Sequence, residues 1–173
     1  MLETMRDRGK FWTHAPDWTT ARIDRNGLSA RRIAGLGQTL ISGDLRGGVA
    51  GLAPGVSEIG LWSLAETDRH VVRIARDRGL LVTPAPQHVA PGWREGYVAT
   101  PCDDAYAVLE LAGSGLAEMV AEATSVDLEA GSRSAAVLFA GVTVFLYRTA
   151  PSTARLHVES PLASYLWKWL DER

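Results

Sequence analysis

The chain has 173 residues, 46% of them apolar, a formal net charge of −2 and one cysteine. A length and apolar fraction of this order suit one well-packed core, and the near-neutral charge offers no electrostatic basis for binding nucleic acid or an anionic membrane. Cys102 alone can form neither an internal disulfide nor a zinc site of cysteines.

The opening MLETMRDRGK holds no apolar signal core, and no apolar run reaches the roughly eighteen residues of a membrane helix. A cytoplasmic protein is expected. Lys10 and Lys168 are the only lysines beside many arginines, which points to a GC-rich coding sequence and a bacterial source.

Residues 1–32 mix charges, tryptophans and turn formers without a period and are expected to form an N-terminal arm, leaving 33–173 as a single domain. Phe11, Trp12 and Trp18 are large apolar groups for such an arm. Burying each contributes about 1.5–3 kcal/mol, so they are expected either to lie in a partner's groove or to fold back on their own domain. Gln38 to Ser42 predicts a short strand. The glycine-rich Gly47 to Gly55 reads as a loop whose spacing matches neither the dinucleotide fingerprint nor the phosphate loop. Ser57 to Ser63 predicts a strand, and Asp68 to Arg78 a helix with Val71, Val72, Ile74 and Ala75 inward, ended by Gly79. Leu80 to Thr83 is a strand, Pro84, Pro86 and Pro91 mark a loop, and Tyr97 to Thr100 is an edge strand. Tyr106 to Leu111 is a strand and Ser114 to Ala123 a helix with Leu116, Met119 and Val120 inward. No fixed-period repeat is present.

The last forty residues are the most legible. Ser134 to Phe139 and Val142 to Arg148 read as a hairpin about Ala140-Gly141. In Thr153 to Glu159, Leu156 and Val158 alternate with Arg155, His157 and Glu159, the period-two pattern of a strand with one dry side. Ser160-Pro161 opens a helix, with Leu162, Tyr165, Leu166, Trp169 and Leu170 on one stripe. The element order predicts an α+β fold with antiparallel sheets and helices on one side, and two sheet-plus-helix halves.

Chemistry-bearing residues are few. Arg155, His157 and Glu159 share one strand face and could carry proton transfer, but such a trio reads in preference as a solvated or partner-facing stripe. Asp103 and Asp104 would point to opposite faces of a strand, and Cys102 has no histidine implied beside it, so an inert thiol is expected. His14, His70 and His88 form no metal-ligand spacing, and His70 reads as a surface residue.

Three segments carry a family resemblance. Ala105 to Ser114 (AYAVLELAGS) resembles a strand running into a Ser-Gly-Pro helix start; Thr124 to Leu128 (TSVDL) resembles a Cys-Pro-Leu-Asp-Leu turn; and Leu156 to Leu170 (LHVESPLASYLWKWL) resembles a final strand and Leu-Trp-x-Trp-Leu helix. These belong to the γ subunit of heterotetrameric sarcosine oxidase, a relative of the glycine-cleavage T protein or aminomethyltransferase. Upstream, Asp68 to Pro84 is similar to that family's first helix and following strand, but Pro91-Gly-Trp-Arg-Glu-Gly stands where a Gly-Pro-Asp-Glu-Trp hairpin belongs, so this would be a shortened, divergent member. The resemblance implies a T-protein-like fold of two split βαβ-type halves. It also implies an accessory, non-catalytic subunit of a flavin-dependent amine oxidase or demethylase, packed on the folate-binding subunit. FAD, FMN and tetrahydrofolate would then sit on the larger partner subunits, with Phe11, Trp12, Trp18, Arg155 and His157 as partner-binding candidates. Two rival expectations are a free-standing small enzyme on a reduced aminomethyltransferase-like fold, acting on an N-methyl or other small nitrogenous substrate, and a pterin-binding or regulatory module.

Overall fold

The computed structural model describes residues 14–90 and 92–173. Phe11, Trp12 and Pro91 lie outside them. One six-stranded sheet, B, contains β3 (Gly37–Gly43), β4 (Glu58–Ile59), β5 (His70–Ala75), β6 (Arg78–Thr83), β7 (Gly92–Trp93) and β8 (Tyr97–Pro101), in the order β4-β5-β6-β3-β8-β7. The other, A, contains β1 (Arg22–Arg25), β2 (Leu28–Ile33), β9 (Tyr106–Ala112), β10 (Ala136–Phe139), β11 (Val142–Ala150) and β12 (Thr153–Glu159), in the order β1-β2-β9-β12-β11-β10. All pairings are antiparallel except the short parallel β4–β5 pair.

The two orders are the same path walked twice. In sheet B, β3 leads through helix α1 (Leu45–Leu52) to β4, β5 and β6, and β6 returns beside β3. In sheet A, β9 leads through helix α2 (Leu116–Ala123) to β10, β11 and β12, and β12 returns beside β9. A hairpin completes each sheet, β7–β8 in one and β1–β2 in the other, so the chain's first hairpin joins its last half.

Strand alternation sorts the core into three layers. Leu45 and Val49 of α1 cover Ile41, Val71, Leu81 and Ala99 on the outer face of sheet B. On the outer face of sheet A, α2 and helix α3 (Ala163–Asp171) place Leu116, Val120, Leu166 and Leu170 against Leu109, Leu111, Leu146 and Leu156. Between the sheets, Val72, Leu80 and Val82 meet Ala135, Phe145 and Tyr147. The expected placement of all helices on one side is thereby corrected: each sheet carries helix on its outer face, because both of its faces are apolar and each needs a cover.

Four local expectations are corrected as well. Residues 22–33 are not an arm but the β1–β2 hairpin, turned by Asn26 (φ 53) and Gly27 (φ 71), the two left-handed positions that a type I′ turn requires. The region read as a helix over 68–78 holds β5 and the start of β6, with Val71 buried on one side of the sheet and Val72 on the other. The supposed glycine loop contains α1, whose first turn is capped by Asp44 accepting from the Gly47 N–H at 3.0 Å. Its glycines are needed by packing, since a Cβ on Gly48 would lie 2.5 Å from Ile41 and one on Gly51 2.8 Å from the Tyr97 hydroxyl. Lastly, Ser160 does not cap a helix with its hydroxyl. Ser160–Leu162 form a 3-10 turn before α3, and the Ser160 hydroxyl donates to the Asp104 carbonyl at 2.6 Å.

The predicted hairpin at Ala140-Gly141 is present as a two-residue turn with both residues left-handed. Tyr165 of α3 donates its hydroxyl to the Ala140 carbonyl at 2.8 Å, tying the helix to this turn. Tyr165→Phe is expected to cost about 0.5–1.5 kcal/mol, the net worth of one such bond, read from the urea midpoint. Trp167 is buried among the α3 contacts while Trp169 packs on them half-buried, its ring 5.8 Å from that of Phe139.

Candidate functional site

The polar groups of the molecule converge between the sheets, and β12 explains why. Leu156 and Val158 face the outer helices, so Arg155 and His157 must face sheet B rather than solvent. His157 is fully buried, which corrects its expected exposed position. Its Nδ1 lies 2.7 Å from Gln38 Oε1, and its Nε2 lies 3.0 Å from the Tyr147 hydroxyl.

The neighbours of Gln38 fix the direction of every proton in this chain. The Gln38 amide nitrogen donates to the carbonyls of Asp103 and Tyr106, both at 3.0 Å, so its oxygen is the group presented to His157. Only an N–H can meet that oxygen, which assigns the His157 proton to Nδ1 and makes Nε2 the acceptor for Tyr147. Burial, aided by nearby His70 and Arg155, holds the His157 imidazole down at about 3. Burial likewise raises the Tyr147 phenol above its ordinary range. Both groups are neutral at neutral pH, and the relay is a set of satisfied neutral hydrogen bonds.

His70 lies beside this relay, its ring 5.0 Å from that of Tyr147 in an edge arrangement. It too is buried, correcting the surface reading. Its Nδ1 sits 2.9 Å from the Thr67 carbonyl and must donate to it, which leaves Nε2 a buried acceptor without a protein partner. Burial, the largest influence, lowers its pKa.

Arg155 belongs to a charged ladder across three strands. Glu110 on β9 accepts from Arg155 Nε at 3.2 Å on one side and pairs with Arg31 of β2 on the other. The Arg155 side chain is 16% exposed and that of Arg31 53%, so Arg31 is the cation of this ladder that reaches solvent. Glu159, at the strand's end, is exposed and separated from His157 by burial. The trio Arg155, His157 and Glu159 is therefore split three ways: an ion-paired cation, a sealed imidazole and a surface carboxylate.

Trp18 also turns inward. Its ring meets that of Trp167 edge-on at 5.5 Å, and the Arg32 guanidinium lies 5.5 Å over it. The Cys102 thiol is partly buried and pushed up to about 11, chiefly by burial. A thiol raised in this way holds little of the nucleophilic thiolate near neutral pH. Asp103 accepts the Gln38 backbone N–H at 2.6 Å, and His14 and His88 are exposed and far apart in the chain. Among the described residues no cluster of His, Cys, Asp or Glu could hold a metal ion, and no helix is long and apolar enough to cross a membrane. Gln38 and Tyr147, which complete the relay, are absent from the sequence-based candidates.

The two most exposed large apolar groups among the described residues lie on outermost strands. Trp93 on β7, the last strand of sheet B, is 75% exposed, and Leu138 on β10, the last strand of sheet A, is 62% exposed.

Taken together, fold and interior define a two-sheet α+β protein in which like-ordered six-stranded sheets pack face to face. No family model matches the sequence, and no curated relative is detected. The fold is that of a solved chain in the heterotetrameric sarcosine oxidase from Corynebacterium sp. U-96, described in complex with pyrrole 2-carboxylate. The TM-score is 0.69 at 19% identity, covering 87% of this chain and 85% of that one.

Proposed function

We propose that the chain is the small, non-catalytic subunit of a heteromeric amine oxidase or demethylase of the sarcosine oxidase type, packed on its folate-binding subunit. The observation that carries this reading is the likeness in fold to a chain of a heterotetrameric sarcosine oxidase, which runs over most of both chains and so makes them close in length. On this reading the fold is the T-protein-like one that the C-terminal motifs imply, and FAD, FMN and tetrahydrofolate are held by the larger subunits. Two features of the chain support it. The imidazole with the best catalytic credentials on sequence grounds, His157, is sealed away from any substrate. Two of the outermost strands, β7 and β10, each carry a large exposed apolar side chain, the kind of feature that a partner covers.

Partner contact is accordingly assigned to Trp93, Leu138 and Arg31, each exposed at the surface, and Phe11 and Trp12, outside the described residues, keep the role that the sequence suggests. His157 and Trp18 are withdrawn from that role, and Arg155 is largely occupied by Glu110. The test is co-expression with the large subunits of a sarcosine oxidase-type complex from the same source, followed by size-exclusion mass. A stable hetero-oligomer is expected. Trp93→Ser should weaken it at least tenfold, since buried tryptophans at interfaces are typically worth about 2 kcal/mol or more. The isolated variant should melt within about 0.5 kcal/mol of wild type, because an exposed side chain contributes little to the fold. A wild-type chain that remains a monomer in the presence of those subunits overturns the reading.

A further inference from the structure

At one rim of the molecule the outer strands of the two sheets come together. The segment entering β10 crosses beside β4 and β5: the Leu61 N–H donates to the Ser132 carbonyl at 2.9 Å, and the Ala135 N–H to the Arg73 carbonyl at 2.7 Å. Between them lies a cleft of about 400 Å³ lined by Glu58, Ile59, Gly60, Ser63, Arg73, Ser132 and Arg133. A volume of this order suits a small organic ligand.

The backbone of this wall is strained. The Ser63 N–H donates to the Gly60 carbonyl, closing a turn whose third residue is Trp62 at φ 58. That left-handed position is ordinarily glycine or asparagine, and a bulky residue there is a genuine outlier. Trp62 is held in it from every side. Its N–H donates to the Leu146 carbonyl at 3.2 Å, its carbonyl accepts from Arg148 Nε at 2.9 Å, and the Arg148 guanidinium lies 5.3 Å over its ring. Gly60, two residues earlier, passes so close to the Ser132 carbonyl that a Cβ there would be 2.0 Å from it. Strain that the surroundings fix so thoroughly is a mark of a site in which shape is constrained.

The charges of the lining do not cancel. Arg73 donates to Glu58 at 2.7 Å and to the Arg76 carbonyl at 3.0 Å, whereas Arg133 forms no ion pair with a described residue. Among the lining residues two arginines stand against one carboxylate, a formal excess of one positive charge. Two hydroxyls stand ready beside it: the Ser132 oxygen accepts from the Ser134 N–H at 3.1 Å and retains its own proton to donate, and Ser63 has no side-chain hydrogen bond among the described residues. Guanidinium and hydroxyl donors around a shaped cleft are the donor set for an oxyanion.

We propose that this cleft binds a small ligand through one anionic group of the carboxylate or phosphate type, with Arg133 and Arg73 on the charge and Ser63 and Ser132 donating to its oxygens. The cleft shares no lining residue with the buried relay of Gln38, His157 and Tyr147.

The test uses the full chain, isotopically labelled, titrated separately with inorganic phosphate and with benzoate and followed by amide chemical shifts. Saturable shifts at Gly60, Ser63, Ser132 and Arg133 are expected with at least one probe, and the tighter probe names the class of group. Arg133→Gln should weaken binding about tenfold or more, and Ser63→Ala severalfold, with the amide spectrum elsewhere unchanged. Arg22→Gln, on a surface away from the cleft, should bind as wild type. Shifts that stay linear with both probes, or saturable binding that Arg133→Gln leaves intact, overturn the proposal.

Discussion

Replacing His157 by alanine is expected to destabilise the protein by several kcal/mol while leaving its surface untouched. The side chain is fully buried and joins two sheets, accepting from Tyr147 on β11 and donating to Gln38 on β3. Its removal strands the Tyr147 hydroxyl and the Gln38 carbonyl oxygen away from water, at about 1–3 kcal/mol each. A cavity adds to that cost. In a domain of this size each kcal/mol lowers the melting temperature by about 2–4 °C, so a fall of roughly 5 °C or more should appear in a thermal scan. The relay also predicts coupling. Tyr147→Phe removes the hydroxyl that the alanine variant strands, so the pair Tyr147→Phe and His157→Ala should cost less than the sum of the singles by about 0.5–3 kcal/mol. Additive costs would mean that the two groups do not share a bond.

The same residue shows why the interior was hard to read from sequence. Period two on β12 separates Leu156 and Val158 from Arg155 and His157, as the sequence predicts. What alternation leaves open is the environment of the second face. Polar residues ordinarily mark the wet side of a sheet, but here a second sheet covers that side and satisfies the imidazole with Gln38, a residue 119 positions away. The partner that makes a buried histidine tolerable was distant in sequence and carried no local signal.

Elsewhere the misses have local causes. His70 to Ala75 holds β-branched residues buried on both faces, and a short run of that kind satisfies helical and extended spacing alike. The α1 helix carries glycines that lower its intrinsic propensity, and only the close approach of Ile41 and Tyr97 explains them. The β1–β2 hairpin is a different matter. Asn26-Gly27 is among the strongest hairpin signals, and Ile23, Leu28 and Ala30 flank it on one buried face; the charged residues between them masked the pattern. In contrast, β9, α2, β11, β12 and α3 each combine a clear period with a turn signal, and their existence was legible. The cleft between β4 and the entry to β10 was not, because Arg133 comes to share a wall with Glu58 and Arg73 of sheet B only when the two sheet edges meet.

Acid is expected to loosen this interior before it reaches the surface carboxylates, and the sign follows from the two histidines. In the unfolded chain each imidazole takes up a proton near its ordinary value of 6.5. In the folded chain burial keeps His157 neutral down to about 3, and it shifts His70 in the same direction. Over that window the unfolded state binds more protons than the folded one, so the free energy of unfolding rises with pH. Stability contributed by keeping His157 neutral is thus fully present above about 6.5, is lost as pH falls, and stops falling once pH passes below about 3, where the folded imidazole also protonates. One linked proton gives a slope of at most about 1.4 kcal/mol per pH unit, and the second histidine steepens it where its own shift applies. Against a total of roughly 5–15 kcal/mol, a drop of one or two pH units is consequential. Asp17 works in a lower window: hydrogen bonds from Thr19, then Thr20, lower its carboxyl below 3.8, so its contribution is lost only in stronger acid, and its exposure keeps that contribution small. Urea unfolding at about pH 7, 6 and 5 separates the two effects, because that range spans the ordinary imidazole value and lies above the Asp17 window. The wild-type midpoint should decline across that range. In the Tyr147→Phe and His157→Leu double variant, which removes the titrating imidazole and the hydroxyl it would strand, the decline should shrink to the part carried by His70. A wild-type midpoint flat from about pH 7 to 5 would show that these imidazoles gain their protons without separating the sheets, and that the layer between them admits water.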